Sequence, residues 1–372
     1  MSQPIFVVGT MRSGSTLLRL ILDSHENIAM GEETGFAGAL AATKAIPNWR
    51  YGTEWYARLG WTEDELDERL RDFYAGMFER HALGQGKKRW GDKTPFHSWH
   101  MGDLARVFPD AVFLAIVRHP GAVVSSLRKR FHYGVAEAAS YWESTNLEVL
   151  RRGAELGDSR FAAVRYEDIV TSPEGTLREL MAWLGEPWSD DLLRHHQVQA
   201  AKGAPRLVDG STSTRAPIDA DRANSWRAHL TAQEQKEVRI RTSTVAGFLG
   251  YDPADAGRLD PLAGQVGARG ADRRCLLTGH RLAERHRSWS PAFELAPPSQ
   301  SVVVADMSVE DMARRLTQAE ASLARIRSRP VVRVSDAVRR AQKRASLPTV
   351  AGVGAAVRRG LRARQRAWTA GR

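Results

Sequence analysis

Apolar positions follow two rhythms in the first two thirds of the chain. Residues 5–8 and 111–117 are continuous apolar runs, the pattern of strands buried on both faces. Residues 160–165 read as a third strand. Between these runs the apolar positions recur at helical spacing. Leu17, Leu18, Leu20, Ile21 and Leu22 give one helix a broad apolar face. Further helices are predicted over 63–81, 96–108 (ended by Pro109), 120 onward with Ser125 and Ser126, 136–152, 173–184 and 231–245. Two of them open with a capping box, Thr62 with Glu65 and Thr231 with Glu234. HENIAMGEET reads as a short strand or turn leading into a helix near Glu32 to Thr34, and KKRWGDKTP as a turn-rich connection. Residues 199–224 are polar and rich in Gly, Pro and Ser, the composition of a mobile loop. Strands alternating with helices predict an α/β domain, a parallel β-sheet flanked by helices with ligands at the carboxyl ends of its strands.

The pattern changes after residue 251. Residues 252–272 are rich in Gly, Pro and Asp and read as a linker. Val309, Met312, Leu316, Ala319, Leu323 and Ile326 form a short heptad seam, equally readable as a helix docked on the main domain. Val350, Val353, Val357, Leu361 and Trp368 fall on one stripe beside an Arg-rich face, as in a helix lying on an anionic membrane; a solvated basic tail and nucleic-acid binding are the rival readings. The expected organisation is a main domain over 1–251, a linker and irregular region over 252–305, and a basic helical C-terminal extension over 306–372.

Charge supports that division. Of 372 residues, 54 are Lys or Arg and 43 Asp or Glu, a net +11. Residues 321–372 alone carry 14 basic residues against Asp336, whereas residues 1–270 hold 33 basic and 35 acidic ones. The basicity is a tail, so nucleic acid is not the expected partner of the domain. The single cysteine, Cys275, excludes an internal disulfide and a thiolate metal cluster. An apolar strand starting at residue 5 leaves no room for a signal peptide, and no apolar run reaches the ~18 residues of a membrane span. The expected location is cytoplasmic, peripheral at the inner membrane face through residues 349–372.

The chemistry concentrates in the first loop. Gly9 and Gly14 have P-loop spacing between a strand and a helix, a geometry that aims backbone N–H groups at an anion. Ser15 stands where a nucleotide P-loop requires Lys, and Arg12 is the nearest replacement cation. Ser13, Ser15 and Thr16 add hydroxyls. A second anion site is signalled by Arg118, at the end of a buried strand, with Ser126 on the following helix. Two such sites on neighbouring strands suit a nucleotide with two separated phosphates.

These residues are similar to a known family. MRSGST resembles the 5′-phosphosulfate motif, and VRHPGAVVSSL the 3′-phosphate motif, of sulfotransferases that use 3′-phosphoadenosine 5′-phosphosulfate (PAPS). VRYEDIV is similar to a third family segment whose Tyr, here Tyr166, lies near the nucleotide. SWRAHLTAQE and FLGY resemble the family's C-terminal end, so the likeness spans about residues 4–251. HENIAMGEET and GDKTPF look most like the tyrosylprotein branch, which implies Glu33 as catalytic carboxylate and Lys93 as active-site lysine. That branch carries Arg directly after Glu-Glu-Thr, where this chain has Gly35, and it carries a membrane anchor not seen here.

The resemblance implies a P-loop-like sulfotransferase fold, PAPS as donor and no metal. Arg12, Ser13, Gly14, Ser15, Thr16, Arg118, Ser126 and Tyr166 would hold the nucleotide, with Glu33, Lys93 and Arg12 catalytic. Sulfuryl transfer is dominated by positioning and charge stabilisation, so a base and nearby cations are what it asks of a protein. Without the resemblance, Glu32 and Glu33 read as first-turn acids complementing a helix dipole. His97, His100 and His119 are alternative bases, each readable as structural. Aromatic residues between 47 and 61 could cover an acceptor. The Gly35 and anchor departures direct the expectation to a hydroxyl on a glycan, lipid or small metabolite, and leave a homodimer open. A P-loop small-molecule kinase, and a non-catalytic membrane or partner adaptor acting through the tail, are the alternatives.

Overall fold

The computed structural model describes residues 3–45, 55–203, 216–251 and 276–278. All fall within one unit, Met1–Leu295. The sequence readings at 47–54, the heptad seam and the basic stripe lie outside the described residues, as does most of the segment read as linker.

In chain order the strands are β1 (Ile5–Val8), β2 (Ile28–Met30), β3 (Arg89–Lys93), β4 (Val112–Val117), β5 (Phe161–Arg165) and β6 (Leu276–Thr278). The helices are α1 (Ser15–Asp23), α2 (Phe36–Ala45), α3 (Trp55–Arg58), α4 (Glu63–Gly84), α5 (Met101–Val107), α6 (Pro120–Phe131), α7 (Val135–Leu156), α8 (Tyr166–Thr171), α9 (Pro173–Leu184), α10 (His195–Ala201), α11 (Ala232–Arg241) and α12 (Ser243–Phe248). The sheet order is β2-β3-β1-β4-β5-β6, parallel except for β6, which pairs antiparallel with β5 from within the 252–305 span read as linker and irregular region.

The two-sided apolar strands are explained by what they face. Phe6 and Val8 of β1, with Phe113, Ala115 and Val117 of β4, enter one core. Ile5 and Val7, with Val112, Leu114 and Ile116, enter the other. Successive side chains point to opposite faces, so a strand covered on both sides is apolar at every position. Both expected capping boxes form, on α4 and α11.

Three of the expected elements that differ bear on the site. The GDK stretch is not a turn: Arg89–Lys93 is a fully buried strand between β2 and β1. Its polar character hides it from periodicity, yet its charges are satisfied inside. The Arg89 guanidinium donates to the carbonyls of Gln3 and Leu184, both at 2.6 Å, and to Glu186 at 3.2 Å. Gly91 is required there, because a Cβ would lie 2.6 Å from the Ile5 carbonyl oxygen.

The helix expected near Glu32 to Thr34 instead begins at Phe36. Gly35 takes φ +66°, and the N–H groups of Thr34 and Gly35 donate to Thr94 Oγ1 rather than to a helical carbonyl. The helix expected over 96–108 is split into a 3₁₀ turn, Pro95–Trp99, and α5. In that turn the Ser98 hydroxyl accepts from Gly9 N at 2.9 Å and donates to Gly9 O at 3.1 Å, clamping the start of the first loop.

Candidate active site

The carboxyl ends of β1, β3 and β4 converge. Adjacent pairing of β1 with β3 and β4 brings three distant segments together: the 9–14 loop, the Asp92-Lys93-Thr94 exit of β3 and the Arg118-His119 turn. A cavity of about 400 Å³ opens there, lined among others by Arg12, Gly14, Ser15, Thr16, Glu33, Arg118, Ser126 and Tyr166.

The loop is held from several sides. Gly9 (φ +137°) turns the chain under the Ile116 carbonyl, where a Cβ would sit 2.3 Å from the oxygen. Met11 N donates to the Tyr141 hydroxyl at 3.0 Å. Arg12 is itself left-handed (φ 69°), rare for a side-chain-bearing residue. Gly14 (φ +97°) lies so close to the Tyr166 ring that a Cβ would fall 2.3 Å from it. Gly14 is also the residue from which α1 starts, so the loop ends on a helix N-terminus.

Both expected anion sites open on this one cavity. Arg12 Nε donates to Ser126 Oγ at 2.9 Å, and Arg118 donates to the Arg12 carbonyl at 3.4 Å. The Arg118 guanidinium lies 4.2 Å over the Tyr166 ring. Ser15 and Thr16 line the cavity at the first turn of α1. Ser13 does not: its side chain is buried and its hydroxyl bonds to that of Thr10, because the turn points it inward.

Lys93, almost wholly buried at the end of β3, extends its ammonium to Thr16 Oγ1 at 3.3 Å and pairs with Glu33. Glu33 is about half exposed at the cavity edge. The base-candidate carboxylate, a buried cation and the helix N-terminus thus form one contiguous set.

The two more buried candidate histidines have structural partners. His97 bonds to Asp92 at 3.1 Å. His119 accepts from Gly121 N at 3.1 Å, capping α6, and stacks on Trp226 with ring centroids 4.5 Å apart. Burial, with Arg227 and Arg118 nearby, holds its imidazole down to about 3. Behind it, the buried Glu167 carboxylate accepts from His119 N and from the Tyr251 hydroxyl, both at 2.9 Å. Burial pushes the Glu167 carboxyl up. FLGY therefore supports the second anion loop through its Tyr. Ser98 and Tyr141 carried no sequence signal, and Asp92 and Glu167 lie inside GDKTPF and VRYEDIV without a role assigned to them, since each acts through tertiary contact.

A family model described as "Sulfotransferase family" matches residues 4–190, half of the chain. The chain belongs to the sulfotransferase family. It is a sulfotransferase enzyme, and membership implies PAPS as donor. Curated relatives include "Protein-tyrosine sulfotransferase 1" of Danio rerio, 29% identical over 275 residues, covering 69% of this chain and 76% of that one. "Protein-tyrosine sulfotransferase 2" of Gallus gallus is also 29% identical over 275 residues, covering 69% and 73%. Among solved structures, the sulfotransferase domain from the Synechococcus PCC 7002 olefin synthase is 24% identical, with a TM-score of 0.49, covering 66% of this chain and 95% of that one.

These matches correct two expectations about this sulfotransferase. The cytoplasmic placement at the inner membrane face does not stand, because the curated relatives are protein-tyrosine sulfotransferases, a membrane-anchored branch. No helix among the described residues is long and apolar enough to cross a membrane, and that fact assigns no compartment. The glycan, lipid or metabolite acceptor is likewise not what these relatives are named for.

Proposed function

We propose that this sulfotransferase transfers the sulfuryl group of PAPS to the phenolic oxygen of a tyrosine in a protein, at the cavity where the three strand ends meet. The names of the curated relatives support the acceptor class. The observation that carries the reaction is the contact of Lys93 with both Glu33 and Thr16.

The residues fit the donor. The α1 N-terminus and the Ser15 and Thr16 hydroxyls donate to a 5′-phosphate, and Arg118 and Ser126 suit a second phosphate. Tyr166, with Arg118 over its ring, offers an apolar wall beside these charges. Glu33 takes the acceptor hydroxyl proton as the new S–O bond forms. Lys93 and Arg12 neutralise charge that grows on the departing 5′-phosphate oxygen as the old S–O bond breaks. The products are a tyrosine sulfate and 3′,5′-adenosine bisphosphate.

Incubation with radiolabelled PAPS and a panel of tyrosine-containing proteins, their Tyr→Phe versions, simple phenols and glycans tests this reading. Label on tyrosine, absent from the Phe versions, is expected. Label confined to glycans or simple phenols overturns the acceptor, and a protein that takes ATP with Mg²⁺ while ignoring 3′,5′-adenosine bisphosphate overturns the donor.

A further inference from the structure

Glu33 sits on a loop, yet a catalytic carboxylate needs a fixed position. The loop itself has little to hold it: Thr34 and Gly35 are exposed, Gly35 is left-handed, and nothing lies within 4 Å of where a Gly35 Cβ would be. What holds it comes from the end of β3. Three successive residues there grip three successive residues of the loop.

Lys93 pairs with Glu33. On the opposite side of the strand, Asp92 is buried, 1% exposed, and its carboxylate is fully used. One oxygen accepts from Thr94 Oγ1 at 2.9 Å and from His97 Nε2 at 3.1 Å. The other accepts from the Thr34 hydroxyl. Because Thr94 gives its proton to Asp92, its lone pairs are turned toward the loop, where they accept from Thr34 N at 3.2 Å and Gly35 N at 3.4 Å. The Thr34 oxygen in turn accepts from Phe36 N at 3.3 Å, the start of α2. A carboxylate suits this arrangement, since two hydroxyls and an imidazole nitrogen converge on its two oxygens, which can only accept.

We propose that Asp92 is a positioning residue for the Glu33 carboxylate, acting through the hydroxyls of Thr34 and Thr94. The proposal rests on the reading of Glu33 as the base. Asp92 touches no reacting group; it sets the direction in which the preceding loop residue presents its carboxylate, while Lys93 sets its charge environment. Alternation along one strand separates the two tasks, with Lys93 on one face and Asp92 and Thr94 on the other.

Thr34→Val keeps the side-chain shape on an exposed residue and removes the hydroxyl, and with it both the bond to Asp92 and the one from Phe36 N; Asp92→Asn perturbs the first alone. Thr34→Ser restores the hydroxyl. Asp92→Asn keeps one acceptor oxygen and replaces the other with a donor. Initial rates with PAPS and the best acceptor, KM for each substrate, affinity for 3′,5′-adenosine bisphosphate and melting temperature are measured for these variants, for Glu33→Gln and for the Thr34→Val/Asp92→Asn double variant. A hydrogen bond to a charged group is worth enough to predict a fall in kcat of about tenfold or more for Thr34→Val and Asp92→Asn. KM for PAPS and bisphosphate affinity stay unchanged, Thr34→Ser recovers kcat, and Asp92→Asn adds nothing further in the Thr34→Val background.

Full activity in Thr34→Val, or a rate loss in Asp92→Asn that tracks a fall in melting temperature and adds independently to that of Thr34→Val, overturns the proposal. If Glu33→Gln is itself fully active, the reading of Glu33 fails instead. That outcome is recorded by a different variant, so the two failures are distinguishable.

Discussion

Arg12 and Ser126 stand 114 positions apart, yet Arg12 Nε donates to Ser126 Oγ at 2.9 Å. One belongs to the loop after β1 and the other to the helix after β4. Their bond, with that from Arg118 to the Arg12 carbonyl, joins the two anion loops across adjacent strands. Arg12 adopts its left-handed conformation within this frame, a backbone choice that costs of order 1–3 kcal/mol. The surrounding contacts offset that cost and present the guanidinium to the cavity.

Loss of either partner should therefore weaken nucleotide binding. Arg12→Ala is expected to lower affinity for 3′,5′-adenosine bisphosphate by about 10–100-fold, the loss of charge-assisted bonds, and Ser126→Ala by less. Isothermal titration calorimetry reads both; unchanged affinity in Arg12→Ala refutes the assignment.

Chemistry should separate from binding at Glu33 and Lys93. Glu33→Gln and Lys93→Met are expected to reduce kcat by about 10²–10⁴-fold, the range for losing a general base or a charge stabiliser. Glu33→Gln, at an exposed carboxylate, should keep bisphosphate affinity within twofold of the wild type, roughly the limit set by a surface group. A Glu33→Gln enzyme of ordinary rate contradicts the assignment.

Gly14 is fixed by two demands, its φ of +97° and the Tyr166 ring. Gly14→Ala is expected to destabilise the fold by about 1–3 kcal/mol and to displace Tyr166 from the cavity wall. Denaturant unfolding checks the first effect and affinity for 3′,5′-adenosine bisphosphate the second, and an unshifted midpoint would show that the close approach is not required.

His119 predicts an acid-sensitive fold. Its imidazole is held down to about 3 in the native protein, against an ordinary 6.5 once unfolded. Between these values the unfolded chain binds the extra proton, so this contribution is complete above about pH 6.5 and is lost as pH falls toward 3. Glu167, raised by burial, contributes the opposite slope above its ordinary 4.5. It is retained in His119→Asn, whose amide can still cap α6. Unfolding free energy measured from pH 7 to pH 4 should therefore fall less steeply in His119→Asn than in wild type; identical slopes would refute the role given to His119.

Much of the frame was legible before folding was considered. The strands at 5–8 and 112–117 announced themselves because burial on both faces demands an apolar residue at every position. The α4 and α11 starts did so because a capping box is a local hydrogen-bond pattern. Arg89–Lys93 did not: a central strand carrying Arg, Asp and Lys breaks the apolar rule, and only its distant partners, Gln3, Leu184, Thr34 and Thr16, make it tolerable. The inward turn of Ser13 was equally hidden, since side-chain direction inside a loop depends on φ values that residue identity does not set.

The sequence by itself determined the α/β class and pointed to the two candidate anion loops, because local spacing of apolar, small and basic residues carries both; the family was legible through the resemblance of several ordered motifs. Tertiary structure alone decided that Glu33, Lys93 and Thr16 meet, that Arg12 reaches Ser126, and that Asp92 and Glu167 stand behind them. Those contacts exist because β1 lies between β3 and β4, and strand order is settled by which faces can be buried together, a competition among distant segments that no local pattern records.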